Sequence, residues 1–246
     1  MFIVGFSNGS VEKIIMYGNT VFQKTFIYKK TPIHKHNSAV TKITTENDYY
    51  ATASKDGTVI VSTATSGEKQ IILPSPDPIL TMQFNPTNKN ELLTATTKNV
   101  VTLWNFSNPD KVFKKFEITL TASLISVLLT KKIIIIASEG KSISLFNTET
   151  GLLMGSLNYK GNISSIVINK EQTLLLASFS KGAVVLYDLD KMFTYYATLA
   201  QKTFEKKLQK KSEQPSMFTV ERVSPLETLY SYLPKGSALI QKFSLQ

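Results

Sequence analysis

The sequence predicts an all-β fold built from one repeated antiparallel unit, and three observations predict it. A tight turn recurs about every 42 residues, an alternating apolar run follows each turn, and most of those runs close on an aromatic residue followed by Asn or Asp.

The turns are Ser7-Asn8-Gly9, Lys55-Asp56-Gly57, Thr97-Lys98-Asn99, Glu139-Gly140-Lys141 and Ser180-Lys181-Gly182, with last residues spaced 48, 42, 42 and 41 apart. Asn, Asp and Gly accept the positive φ of a two-residue type I′ hairpin, so each turn is expected to join two strands. The runs before the turns carry small residues (FIVGFS, YYATASK, LLTATT, IIIIASE, LLLASFS), and those after them alternate (SVEKIIM, TVIVSTA, VVTLWNF, SISLFNT, AVVLYDL). Alternation of period two turns one face of each strand to a core. Such a unit cannot bury a face alone, whereas radial stacking of four-stranded sheets buries both faces and leaves only short edges open. A β-sandwich would not impose so even a period. The expected architecture is a β-propeller with five recognisable blades, the first beginning at its second strand.

Five residues after each turn's last residue stand Ile14, Ser62, Trp104, Phe146 and Tyr187, each followed by Ile15, Thr63, Asn105, Asn147 or Asp188. This pair resembles the Trp-Asp dipeptide that ends the third strand of a WD40 blade. His36-Asn-Ser-Ala-Val40 is similar to the Gly-His segment that opens a WD40 blade, with Lys35 in place of the glycine. Thr63-Ala-Thr-Ser-Gly67 and Asn147-Thr-Glu-Thr-Gly151 look like the loop from third to fourth strand. The resemblance covers roughly residues 1–199. It implies a hydrogen-bonded tetrad of His, Ser or Thr, Asp and Trp, of which the second unit has His36, Ser54 and Asp56 but Ser62 at the aromatic position. The structural blade residues it implies are thus His36, Ser54, Asp56, Trp104, Asn105, Phe146, Asn147, Tyr187 and Asp188. It also implies a non-catalytic scaffold subunit of a multiprotein complex in the cytoplasm or nucleus.

Most WD40 rings have seven blades, so the ends of the chain pose a problem of closure. Residues 236–245 alternate like a strand and are expected to supply a missing strand of the first blade. The alternative is an open ring whose gap a partner fills. In the fifth unit the repeat places an outer strand at Met192 to Leu199, with a helix starting near Ala200, so that blades occupy 1–199 and a helical extension 200–246. Ser224, Pro225 and Glu227 form a capping-box start for a short second helix reaching Leu233. Phe204, Leu208, Leu229 and Tyr230 are candidate anchors for a protein partner, and Lys206, Lys207, Lys210 and Lys211 form a basic cluster on the first helix.

The chain has no cysteine, which excludes disulfides and thiolate chemistry and suits a cytosolic or nuclear setting. Its longest apolar run, Ile133 to Ala137, cannot span a bilayer, and a membrane is not expected as partner. The net charge of +10 makes RNA the second partner class and a phosphoinositide surface the third. Against both, Arg222 is the one arginine among 28 basic residues, which leaves no paired arginines and little of the bidentate phosphate chemistry that arginine supplies. His34 and His36 share one side of a strand, a spacing that suits a metal, yet no cysteine or carboxylate pair completes a site. No phosphate loop, nucleophile elbow or metalloprotease motif is present, and Asp56 and Asp188 occupy turn or strand-end positions. No catalytic residue, cofactor, metal or small-molecule substrate is therefore expected.

Overall fold

Alternating sequence becomes antiparallel pairing between strands adjacent in the chain. The computed structural model describes residues 2–17, 27–63, 71–139, 142–212 and 239–240, and the chain divides into two units, Met1–Thr119 and Leu120–Ile240. In the first unit, blade one has three strands, β1 (Phe2–Gly5), β2 (Ser10–Tyr17) and β3 (Ile27–Lys35). Blade two has four, β4 (Val40–Glu46), β5 (Tyr49–Ser54), β6 (Thr58–Thr63) and β7 (Ile71–Pro74). Blade three comprises β8 (Ile79–Phe84), β9 (Glu91–Thr96), β10 (Val100–Asn105) and β11 (Phe113–Leu120). In the second unit, blade four runs through β12 (Leu124–Leu129), β13 (Ile133–Ser138), β14 (Ser142–Asn147) and β15 (Leu153–Asn158). Blade five has β16 (Ile163–Ile168), β17 (Leu174–Phe179) and β18 (Val184–Asp188), and the chain then enters helix α1 (Leu189–Ser212).

The cores lie between blades. Ala51, Val59, Val61 and Leu73 of blade two pack on Met82, Phe84, Leu92 and Trp104 of blade three. Ile133, Ile135, Ile143 and Leu145 of blade four pack on Ile166, Leu175 and Ala177 of blade five. Blades two and three share one such core and blades four and five another.

Two backbone devices recur in blades two to five. Each innermost strand carries a bulge just after its start, at Val40/Lys42, Ile79/Thr81, Leu124/Ser126 and Ile163/Ser165. The first residue of each hairpin turn donates its N–H to the connector before that strand: Lys55 to Ala39 (3.0 Å), Thr97 to Pro78 (3.0 Å), Glu139 to Ser123 (2.7 Å) and Ser180 to Asn162 (2.7 Å). The sequence period is thus also a period of backbone hydrogen bonds.

The turns differ from the two-residue type I′ expectation. Gly9, Gly57 and Asn99 donate to Phe6, Ser54 and Thr96, three residues back. The positive φ falls on the last turn residue, at Gly9 (85°), Gly57 (85°), Asn99 (64°) and Gly182 (79°), and not on Asn8, Asp56 or Lys98. The first three are three-residue loops that end in one left-handed residue. At Gly9 and Gly57 a side chain is also sterically excluded, since a Cβ would come within 2.3 Å of the His36 carbonyl and 2.7 Å of the Ser75 carbonyl. Gly140 and Lys141 lie outside the described residues.

The fifth unit departs from the repeat. The outer strand expected at Met192 to Leu199 is helical, and α1 begins at Leu189 directly after β18. Asp188 ends the strand and caps the helix, accepting the Lys191 N–H at 2.9 Å. Leu189, Met192, Phe193 and Tyr196 share a helical face and pack on the core of blades four and five. A strand would split these four between two faces. Helical period therefore overrides the repeat here.

The second helix expected from Ser224 lies outside the described residues. Of the strand expected over residues 236–245, only β19 (Leu239–Ile240) is described.

Candidate functional site

The end of β3 and the connector into β4 bring both histidines against blade two. His36 is 2 % exposed, and its N–H donates to the Gly9 carbonyl at 2.9 Å. Its Nδ1 lies 2.8 Å from Thr58 Oγ1 and its Nε2 2.9 Å from Thr52 Oγ1, while His34 Nε2 lies 2.9 Å from the same Thr52 oxygen. The Thr58 hydroxyl donates to Asp56 Oδ1 at 2.6 Å. That bond fixes the direction of the chain. Thr58 must accept from His36 Nδ1–H, and with both rings neutral His36 Nε2 is bare and accepts from Thr52, which in turn accepts from His34 Nε2–H. Both imidazoles are neutral in this arrangement. Burial agrees, holding His34 down at about 4 with help from neighbouring His36, and lowering His36 against the opposing pull of Asp56.

Asp56 closes the network at the turn. Burial raises its carboxyl, but donation from Thr58 and Asn37 and the proximity of His36 outweigh this and hold it below its ordinary value. The Asn37 N–H donates to Oδ2 at 2.8 Å. Ser54, expected as the histidine's partner, serves the backbone: its hydroxyl donates to Ser38 O at 2.9 Å and accepts the Asp56 N–H at 3.2 Å. Thr52, two residues earlier on the strand, is the partner of His36. Ser62, at the aromatic position, is 1 % exposed.

Blade three holds the other half of the tetrad. Trp104 Nε1 donates to Thr94 Oγ1 at 2.9 Å, and Thr94 occupies the position of Thr52, five residues before the turn's last residue. The His–Asp link is replaced there by an ion pair of Lys98 in the turn with Asp77 in the connector, at 2.7 Å. Blade three also buries Glu91, which accepts from Asn85 (2.7 Å), Asn88 (3.0 Å), Lys115 (3.1 Å) and Asn105 (3.5 Å). Sequence reasoning missed Thr52, Thr58, Thr94 and Glu91. The recurrence of threonine at one offset from the turn was a usable signal for two of them; Glu91 had none.

The remaining motif residues close their strands. Phe146 is buried, and Asn147 Oδ1 accepts the N–H groups of Glu149 (2.8 Å) and Thr150 (3.0 Å), shaping the loop to Gly151. Tyr187 packs on the core of blades four and five. Among the described residues, no three His, Asp or Glu side chains gather as a metal ion requires, and no helix is long and apolar enough to cross a membrane.

Of the candidate partner-binding residues, Phe204, Lys206, Lys207, Leu208, Lys210 and Lys211 lie on α1, where only the backbone is described, and Leu229 and Tyr230 lie outside the described residues. The structure draws attention elsewhere, to one face of blade five. Leu176 pairs with both Val167 and Leu186 across the sheet. With Leu174 and Val184 they form a continuous apolar row, and Val184 and Leu186 are each 60 % exposed.

No family model and no curated protein sequence matches this chain. Solved structures do. The beta-propeller domain of Myceliophteria thermophila Cps50 (Swd1) is similar with a TM-score of 0.59 at 11 % identity, over 76 % of this chain and 61 % of that one. A chain of the Mitotic Checkpoint Complex is similar with a TM-score of 0.57 at 15 % identity, over 76 % of this chain and 58 % of that one. The chain spans about three-fifths of the length of these two neighbours. Identities this low speak to fold alone, and with the five sheets described above they establish a β-propeller-type fold, with no closed sheet among the described residues and with a helix that follows blade five.

Proposed function

We propose that this chain is a non-catalytic scaffold subunit that binds other proteins in a multiprotein complex. The observation that carries the reading is the apolar row of blade five, where Val184 and Leu186 are each 60 % exposed. A soluble domain keeps such a row only where something docks, because leaving it in water forfeits about 25 cal/mol per Å² of apolar surface. The polar networks support the same reading: His34, His36, Thr52, Thr58 and Asp56 bond to one another and tie blade one to blade two, which makes them a lock and not a reaction centre. The propeller neighbours include a chain of a multiprotein assembly. The basic extension, with Phe204, Leu208 and the lysines between and beyond them, is a second docking element of the proposed scaffold.

The test is affinity purification of the tagged chain and of a Val184→Glu/Leu186→Glu variant from the source cells, followed by quantitative mass spectrometry. Co-purifying proteins should fall at least about tenfold with the variant, as the loss of a central hot spot demands. An unchanged set would remove the reading. RNA recovered with both forms, and lost steeply as salt rises, would instead favour a nucleic-acid role.

A further inference from the structure

We infer that the seam between blades one and two contains a binding site for a buried water, held by His34 Nδ1, the Tyr50 hydroxyl and the Ser62 hydroxyl. The repeat supplies the comparison. In the seam between blades two and three, Trp104 stands five residues after Asn99, and its cross-strand partner Leu92 stands seven residues before Asn99. Leu73 completes the group, two residues before Ser75, whose N–H donates to the Gly57 carbonyl. All three are buried in one apolar cluster. Ser62, Tyr50 and His34 hold the same places one blade earlier. Ser62 lies five residues after Gly57, and Tyr50, cross-strand from it, lies seven residues before Gly57. His34 comes two residues before His36, whose N–H donates to the Gly9 carbonyl. An indole and two leucines are thus replaced together by three polar side chains.

Protein bonds satisfy only part of that replacement. His34 Nε2 takes over from the indole, donating to Thr52 as Trp104 donates to Thr94, at 2.9 Å in each case. Its other nitrogen, Nδ1, is buried with no hydrogen-bond partner among the described residues, and so are the Tyr50 and Ser62 hydroxyls. Tyr50 and Ser62 are each 1 % exposed, and the His34 ring stacks on that of Tyr50 with centroids 6.2 Å apart. Buried polar groups that lack a protein partner are satisfied by ordered water. A serine in place of an indole frees more volume than the about 30 Å3 that one water takes up. The donor pattern selects the ligand. With Nε2–H given to Thr52, Nδ1 is a bare lone pair that needs a donor, while each hydroxyl has a proton to give and lone pairs to fill. Water, with two donors and two acceptors, meets all of these needs. A simple anion has no proton for Nδ1. A metal ion takes deprotonated ligands, whereas burial raises the Tyr50 phenol, against the pull of Ser62 beside it, so that it keeps its proton.

A high-resolution crystal structure of the full chain tests the site directly. One ordered water should lie within about 3.2 Å of His34 Nδ1 and of at least one of the two hydroxyls. A dry site, with Tyr50 bonded directly to Ser62 or His34 Nδ1 bonded to a protein donor, overturns the inference. In solution, oxygen-17 relaxation dispersion counts long-lived waters. Tyr50→Phe/Ser62→Ala leaves only His34 Nδ1, and a buried water needs about 2–4 polar partners, so the amplitude should fall by that of one water relative to wild type. Unchanged Trp104 emission verifies that blades two and three are intact. If the double variant does not fold, Ser62→Leu, whose side chain takes up the volume of the water, should give the same loss. An amplitude equal to that of wild type in a folded variant overturns the inference as well.

Discussion

Trp104 donates its indole N–H to the hydroxyl of Thr94 across 2.9 Å, with both side chains buried between blades two and three. Trp104 is the chain's one tryptophan, so its emission reports the state of that interface. Thr94→Val preserves shape but leaves a buried N–H without an acceptor, which should cost about 1–3 kcal/mol. Thr94→Ser should recover most of it. Urea unfolding followed at the tryptophan emission measures both, and equal stability of the Val and Ser variants would show that the bond contributes nothing.

Glu91 is 2 % exposed, and its carboxylate is held by three asparagine amides and Lys115. Glu91→Ala should destabilise by about 3–5 kcal/mol, because it strands those donors as well as the cation. Lys115→Ala should cost less, since the Lys115 side chain is 23 % exposed and the carboxylate keeps its amide donors. The midpoint in guanidinium should shift in that order with the slope unchanged.

The linked histidines set a pH dependence. His34 is held at about 4 and His36 is lowered from 6.5, so below pH 6.5 the unfolded chain takes up protons that the folded chain refuses. Stability is therefore complete above pH 6.5 and declines as pH falls toward 4. The Asp56 carboxyl, held below 3.8, adds a loss only on further acidification. His34→Phe keeps a ring stacked on Tyr50 and removes one titration. Thermal midpoints measured from pH 7.5 to 4 should fall less steeply in this variant, and parallel curves would rule out His34 as a source.

Tyr196 seats helix α1 closely against β15. A Cβ at residue 155 would come within 2.1 Å of the Tyr196 ring, and the Tyr196 hydroxyl donates to Ser156 O at 3.4 Å. Gly155→Ala should push the helix off β15, at about 1–3 kcal/mol for an overpacked site. Asp188→Ala removes the N-cap and should lower the helical signal near 222 nm without altering Trp104 emission. Limited proteolysis should cut both variants first within 189–212.

Blade number, strand order and the turn positions were legible in the sequence, because period two and a constant spacing are local properties that a one-dimensional string carries. The partner of each polar group was not. Ser54 and Thr52 lie on the same strand two residues apart, and only the position of the connector decided that His36 meets Thr52. Turn chemistry was read one step wrong, since glycine permits a positive φ without stating how many residues share the loop.

The sequence by itself determined the repeat, the blade cores and the absence of cysteine chemistry, since these follow from which residues recur and at what interval. Tertiary structure decided three things that no interval states. It turned the segment after Asp188 into a helix, because Leu189, Met192, Phe193 and Tyr196 needed one common face against blades four and five. It divided one hydrogen-bonded tetrad between two blades, with His36, Thr52 and Asp56 in one and Thr94 and Trp104 in the next. It also left Val184 and Leu186 in water at places where Val59, Val61, Ile143 and Leu145 are buried, because exposure depends on what lies opposite a residue and not on the residue itself.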